Sequence, residues 1–114
     1  MIVEMRTYVL HPGQQGKFLA LMEREGIALE RAILGRMLGF YTSDIGTLNE
    51  VVHMWGYESH AERDRRRAVL AANEAWRDFV PRVLPLIREM KSSILLPAPF
   101  AAVETLDWAG PQLA

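Results

Sequence analysis

Residues 2–10 alternate strictly between two sets, Val3, Met5, Thr7 and Val9 on one face and Ile2, Glu4, Arg6, Tyr8 and Leu10 on the other. A period of two in a run rich in β-branched and aromatic residues predicts a strand. His11-Pro12-Gly13 ends it, because proline lacks a donor and glycine permits a turn. The period then changes. Between residues 14 and 34, Phe18, Leu21, Met22, Glu25, Leu29, Ala32 and Ile33 recur at helical spacing, with Gly35 as the expected C-terminal cap. Gly26 inside that helix is expected to cost about 1 kcal/mol relative to alanine. Residues 37–43 read as a second strand and residues 49–57 as a third, where Val51, His53, Trp55 and Tyr57 alternate with Val52, Met54 and Gly56. The short link at 44–47 predicts an antiparallel hairpin.

Ser59-His60-Ala61-Glu62 spells a capping box, in which serine accepts an orphan N–H and glutamate returns the contact. The spelling predicts a helix from about residue 59 to 73. A second stripe follows at Trp76, Phe79, Val80, Val83, Leu84 and Ile87, with a break expected near Val80 because Pro81 and Pro85 remove donors. Residues 92–96 read as a short fourth strand. The resulting order, β-α-β-β-α-β, fits an α+β ferredoxin-like plait. Right-handed crossovers place both helical regions on one face of an antiparallel sheet ordered 4-1-3-2. Residues 1–97 then form the domain and residues 98–114 a tail expected to pack on its own or a partner subunit, since it holds Phe100, Val103, Leu106 and Trp108.

The apolar set Val3, Met5, Thr7, Val9, Val52, Met54 and Gly56 suits the helix side. That assignment leaves Glu4, Arg6, Tyr8, Val51, His53, Trp55 and Tyr57 on an uncovered face, which exceeds the aromatic surface a monomer usually shows to water. A homodimer, in which two sheets close an α/β barrel across a two-fold axis, removes the exposure.

Composition narrows the function classes. Thirteen Lys and Arg against fourteen Asp and Glu give a net charge of −1 over 114 residues, without the basic footprint of a nucleic-acid binder. With no cysteine there is neither a disulfide framework nor a thiolate metal site. The amino-terminal residues lack a signal-peptide pattern, and the longest apolar run, residues 94–103, is broken by Pro97 and Pro99. A cytoplasmic protein without membrane insertion is the expectation.

Three segments resemble the NIPSNAP family. They are Val3-Glu4-Met5-Arg6-Thr7-Tyr8-Val9-Leu10 followed by Pro12-Gly13, Leu48-Asn49-Glu50-Val51-Val52-His53-Met54-Trp55-Gly56-Tyr57, and Trp76 and Phe79 ending in Ser93-Ile94-Leu95-Leu96-Pro97. The resemblance covers residues 2–100 and implies a dimeric α/β barrel of ferredoxin-like protomers. Its superfamily includes cofactor-free monooxygenases, isomerases and haem-handling enzymes. NIPSNAP members themselves have no settled reaction, and the eukaryotic ones are associated with mitochondria and adaptor roles. Mitochondrial targeting is not carried over to this shorter chain.

His53 is the sharpest chemical candidate, because an imidazole with its ordinary pKa near 6.5 serves as an acid or base at neutral pH. Glu4 is expected to orient it and Arg6 to hold a carboxylate or enolate, with Tyr8, Trp55 and Tyr57 completing a substrate-binding face. Any turnover there is expected to be cofactor-independent, at a carbonyl-activated carbon. His11, His53 and His60 fall on three separate elements, so no metal site is expected. Arg63, Arg65, Arg66 and Arg67 read as a solvated helix face. The rival reading is a non-catalytic structural or adaptor module whose polar sheet face specifies dimerisation.

Overall fold

The computed structural model describes residues 1–101 and 110–113. Its elements follow the order expected from the sequence. Strand β1 (Ile2–Leu10) leads into α1 (Gln15–Leu21), a π turn (Met22–Gly26) and α2 (Ile27–Ile33), which together form one helical run. The hairpin β2 (Arg36–Thr42) and β3 (Glu50–Tyr57) precedes α3 (His60–Ala72), α4 (Glu74–Val83), a 3-10 turn (Leu84–Leu86) and β4 (Ile87–Leu95). The antiparallel sheet runs β2-β3-β1-β4, which is the plait order. Arg6 sits directly opposite His53, and Glu4 opposite Trp55.

Helix α3 ends at Asn73, as expected, and the Asn73 side chain accepts from the Trp76 amide at 2.9 Å and so starts α4. Two boundaries differ from expectation. Pro81 lies within α4, and the helix tightens only at Leu84–Leu86, around Pro85. Strand β4 has nine residues rather than five. Its first half, with Arg88, Glu89 and Lys91, lacks apolar alternation because an exposed edge strand carries charges that deter further pairing. At the start of α3, Ser59 Oγ accepts from the Glu62 amide at 3.1 Å as predicted. The Glu62 carboxylate instead receives Arg65 and Arg66.

The sheet is covered on the face opposite to the one expected. Ile2, Glu4, Leu10, Val51, His53, Trp55 and Tyr57 are buried under the helices, while Val3, Met5, Thr7, Val52 and Met54 remain partly exposed on a face that no element among the described residues covers. Side-chain volume explains the choice. Trp55, Tyr57, Phe18 and Phe79 are the largest fully buried side chains, and they fill the gap between sheet and helices. The Glu4 carboxylate carried inward by this choice finds a helix partner in Arg63. Two apolar clusters result, one around Leu10, Phe18, Val51, Phe79 and Val83, the other around Ile2, Ile33, Leu34, Trp55 and Leu70.

The arginine cluster also turns inward. Spacing of three, four and seven places Arg63, Arg66, Arg67 and Leu70 on one side of α3. Arg66 is 4% exposed and donates from Nη1 to the Ile33 carbonyl at 3.0 Å and from Nη2 to that of Pro111 at 2.7 Å. Leu113 packs against the second cluster. Val103, Leu106 and Trp108 lie outside the described residues.

Gly35 is not a left-handed cap: the positive-φ glycines among the described residues are Gly13, Gly46 and Gly110. Its requirement is close approach, since a Cβ there would run into the backbone carbonyl oxygen of Gly56. Gly35→Ala is therefore expected to destabilise the domain by about 1–3 kcal/mol through overpacking, read as a lower urea midpoint at unchanged slope.

Candidate functional site

Two cross-strand rows on the helix-covered face bring Arg6, Tyr8, Phe40 and His53 together. Pairing of β1, β3 and β2 sets Arg6 and Phe40 on either side of His53. The Phe40 ring stacks on the imidazole with centroids 4.7 Å apart, and Tyr8 meets it edge-on at 4.9 Å. Between these side chains and the helices lies a cavity of about 200 Å³. Its sheet-side floor is Arg6, Tyr8, Phe40 and His53, and its helix-side walls are Glu30, Arg67, Trp76 and Phe79. A larger groove of about 520 Å³ at the α2–β2 corner is open to solvent and carries none of this chemistry.

The Glu4 carboxylate anchors the site from behind. Arg6 Nη1 donates to its Oε2 at 2.9 Å, Arg63 donates from Nη2 at 2.9 Å and from Nε at 3.1 Å, and Ser92 Oγ donates at 2.6 Å. Burial pushes this carboxyl upward, but the bonds from Arg63, Ser92 and Arg6 outweigh it and hold the pKa at about 2. Arg6 in turn donates from Nε to Tyr8 Oη at 2.9 Å, which leaves the phenol hydrogen free to point elsewhere.

His53 differs from the sequence expectation. The Trp55 indole N–H donates to His53 Nδ1 at 2.8 Å, so the proton of the neutral imidazole is assigned to Nε2. Trp55, not Glu4, orients the ring. Burial, with Arg6 adding to it, lowers the pKa to about 3 rather than leaving it near neutrality. The imidazole is therefore a fixed Nε2–H donor at neutral pH, and among the described residues that nitrogen has no hydrogen-bond partner.

Glu30 is the residue that sequence reading missed. It is 3% exposed, its Oε1 is buried without a hydrogen-bond partner among the described residues, and burial outweighs Arg67 and Arg6 to push its pKa up to about 7. The π turn explains the omission. One extra residue in that turn advances the helix by about 100°. Gly26 and Glu30 are therefore buried in place of Glu25 and Ala32, while Leu29 packs partly buried against the second cluster. Glu25 instead faces outward, where Arg82 donates to it twice at 2.6 Å. Arg67, taken as part of a solvated face, lines the cavity, and among the described residues it has no ion-pair partner.

The remaining candidates stand apart. Trp55 acts on His53 from outside the cavity lining. Tyr57 lies in the second apolar cluster, where burial raises its phenol to about 12. His11 and His60 are exposed, and among the described residues no group of three or more histidines and carboxylates is placed to hold a metal ion. No described helix is long and apolar enough to cross a membrane.

The cavity can therefore offer two guanidiniums and an imidazole N–H to an anionic or polarised oxygen, and a carboxyl that ionises near neutrality. Comparison with known proteins supports the fold without assigning that chemistry. A NIPSNAP-like domain protein from Burkholderia xenovorans, described as uncharacterized, is 48% identical, with TM-score 0.85 over 88% of this chain and 87% of that one. A NIPSNAP family protein from Agrobacterium tumefaciens is 43% identical, with TM-score 0.86 over 88% of each chain. A NipSnap homolog from Dictyostelium discoideum is 33% identical over 82% of this chain, which spans only 41% of that relative's length. A putative antibiotic biosynthesis monooxygenase from Nitrosomonas europaea, at 10% identity and TM-score 0.65 over 85% of this chain and 98% of its own, shares the fold alone. The NIPSNAP family model matches residues 3–102, and the chain belongs to that family.

Proposed function

We propose that this domain binds a small organic molecule carrying an anionic or anion-forming oxygen in the cavity between sheet and helices. One observation carries the reading: Glu30 Oε1 and His53 Nε2, both buried and without a hydrogen-bond partner among the described residues, line the same cavity as two guanidiniums. An unsatisfied buried polar atom costs about 1–3 kcal/mol, so two that share one cavity suit a ligand that supplies the missing bonds. At about 200 Å³, the space lies below the roughly 300–1,000 Å³ of drug-sized sites. A single-ring or short-chain molecule fits it. The even charge balance and absence of cysteine suit a cytoplasmic setting.

A second copy completes the proposal. The open sheet face presents Val3, Met5, Val52 and Met54, with Tyr41 and Leu95 at 54% and 40% exposure. Face-to-face pairing of two such sheets makes a homodimer in which apolar surface is buried. The adaptor reading, in which a polar sheet face specifies dimerisation, loses its surface because that face lies under the helices. A sedimentation experiment in dilute solution returning a 13 kDa species would overturn the dimer.

The binding reading is tested with benzoate, 2-oxobutanoate and phenylpyruvate by calorimetry and thermal shift. At least one is expected to raise the melting temperature saturably. Arg67→Gln should weaken it roughly ten- to hundredfold, the worth of a charge-assisted hydrogen bond of about 1.5–3 kcal/mol. Arg67 carries no structural ion pair among the described residues, so its folding should be spared. Saturable binding by none of the three would sink the proposal.

A further inference from the structure

Within that ligand-binding reading, on which this inference rests, we infer that Glu30 is a catalytic base. It moves a proton between carbon and oxygen of a bound 2-oxo acid, with the resulting enolate held by His53 Nε2–H and Arg6.

The two sides of the cavity carry different chemistry. Its sheet side presents cationic and donor groups, Arg6, Tyr8 and His53, while α3 contributes Arg67. On the helix side, α2 contributes the single carboxyl, Glu30, and α4 contributes only Trp76 and apolar side chains to the lining. A site with an anion-holding side opposite a carboxyl whose Oε1 has no hydrogen-bond partner among the described residues suits proton abstraction next to a carbonyl, since the base and the developing oxyanion must be served separately. Glu4 cannot take that part. Three donors saturate its carboxylate, and it lies outside the cavity lining. His53 cannot take it either, because Trp55 occupies Nδ1 and the proton resides on Nε2.

The residues divide the work as follows. The Arg67 guanidinium receives the substrate carboxylate, and the aromatic walls receive its side group. Glu30 carboxylate takes the proton from the carbon next to the ketone. The C–H pair becomes the carbon–carbon double bond, and the carbonyl π pair moves onto oxygen. Protonated Glu30 then returns the proton to that oxygen, giving the enol, and the reverse path regenerates the ketone. Atoms and charge balance without an oxidant, a metal or a co-reactant. Glu4, acting only through Arg6, is a positioning residue.

Ionisation supports the assignment. The groups facing Glu30 are Arg6 and Tyr8 from β1, His53 from β3 and Arg67 from α3. Burial raises its pKa to about 7 against the pull of Arg67 and Arg6, which is the range where a base is both ionised and strong at neutral pH. The π turn that aims it inward is a feature frequently found at functional sites.

The test follows deuterium entering C3 of 2-oxobutanoate and phenylpyruvate in D2O by proton NMR, alongside calorimetric binding of the same probes. Wild-type protein should accelerate exchange above buffer for a probe that binds. Glu30→Gln should lower the accelerated rate about 10²–10⁴-fold while its Kd stays within a few fold. The wild-type rate should rise with pH to a plateau with its midpoint near 7, and Arg67→Gln should move that midpoint upward by removing a nearby positive charge. The pH profile decides the matter should Glu30→Gln fail to fold. Binding without accelerated exchange, exchange unaffected in Glu30→Gln, or a midpoint unmoved by Arg67→Gln would overturn the proton transfer while leaving the binding reading intact. Saturable binding of benzoate with neither 2-oxo acid bound would overturn this inference alone.

Discussion

Glu4→Gln is expected to cost about 3–5 kcal/mol, the usual result of removing one member of a buried charge network, and to lower Tm by on the order of 10–20 °C. The carboxylate is fully buried and receives Arg6, Arg63 and Ser92. Glutamine keeps the shape but supplies one acceptor oxygen to three donors, takes the counter-charge from Arg6 and leaves Arg63 with only the exposed Asp64. The same network sets an acid limit. Glu4 titrates near an ordinary 4.5 when unfolded and at about 2 when folded, so its contribution is complete above pH 4.5 and is lost as pH falls through 2. By linkage this amounts to roughly 3 kcal/mol. His53 acts in the same direction between 6.5 and about 3, because the unfolded imidazole takes up a proton that the buried one refuses. Urea titrations from pH 7 to 3 should therefore show stability falling most steeply below pH 4.5. A flat profile for the wild type, or a Glu4→Gln variant as stable as the wild type at pH 7, would contradict the network.

Glu30→Gln should have the opposite sign. Glu30 binds its proton more tightly folded than unfolded, at about 7 against 4.5. The folded state therefore carries the extra proton between those values, and stability falls as pH rises through them. Above pH 7 the buried carboxylate costs roughly 3 kcal/mol relative to acid conditions. Glutamine removes that cost without changing volume. The variant is expected to be more stable than the wild type by about that amount at pH 8, and to show little difference near pH 4.5. Paired thermal melts at the two pH values check it. A variant that is destabilised equally at both would mean that the carboxyl is a structural hydrogen-bonding group. Retaining a destabilising carboxylate at neutral pH is the expected signature of a group kept for what it does to a ligand.

Much of the fold was readable from local pattern. The alternation of β1 and β3, the capped start of α3 at Ser59 and the two helical stripes give the element order, and right-handed crossover gives the strand order. Arg6, Tyr8 and His53 could be placed on one face because strand periodicity is strict. Which face the helices cover was not readable from the same pattern. Both faces of β3 carry apolar residues, and the decision depends on Trp55 and Tyr57 filling the interior and on Arg63, 59 residues away in sequence, reaching Glu4. Glu30 was hidden for a different reason. Helical periodicity projected through Met22–Gly26 points Glu25 inward, and a single extra residue in the π turn exchanges it for Glu30. Arg67 was legible in principle, because Arg63, Arg66, Arg67 and Leu70 share one side of a regular helix.

The chain's own residues thus determined a four-stranded plait of the NIPSNAP family and a strand face rich in aromatic and ionisable groups, because backbone periodicity and turn chemistry are local. Tertiary structure alone decided that this face lies beneath the helices, that Trp55 locks His53 as a donor and that the Glu30 carboxyl is buried against the cavity. Burial and charge pairing join residues dozens of positions apart, so their effect on ionisation appears only once the layers have packed.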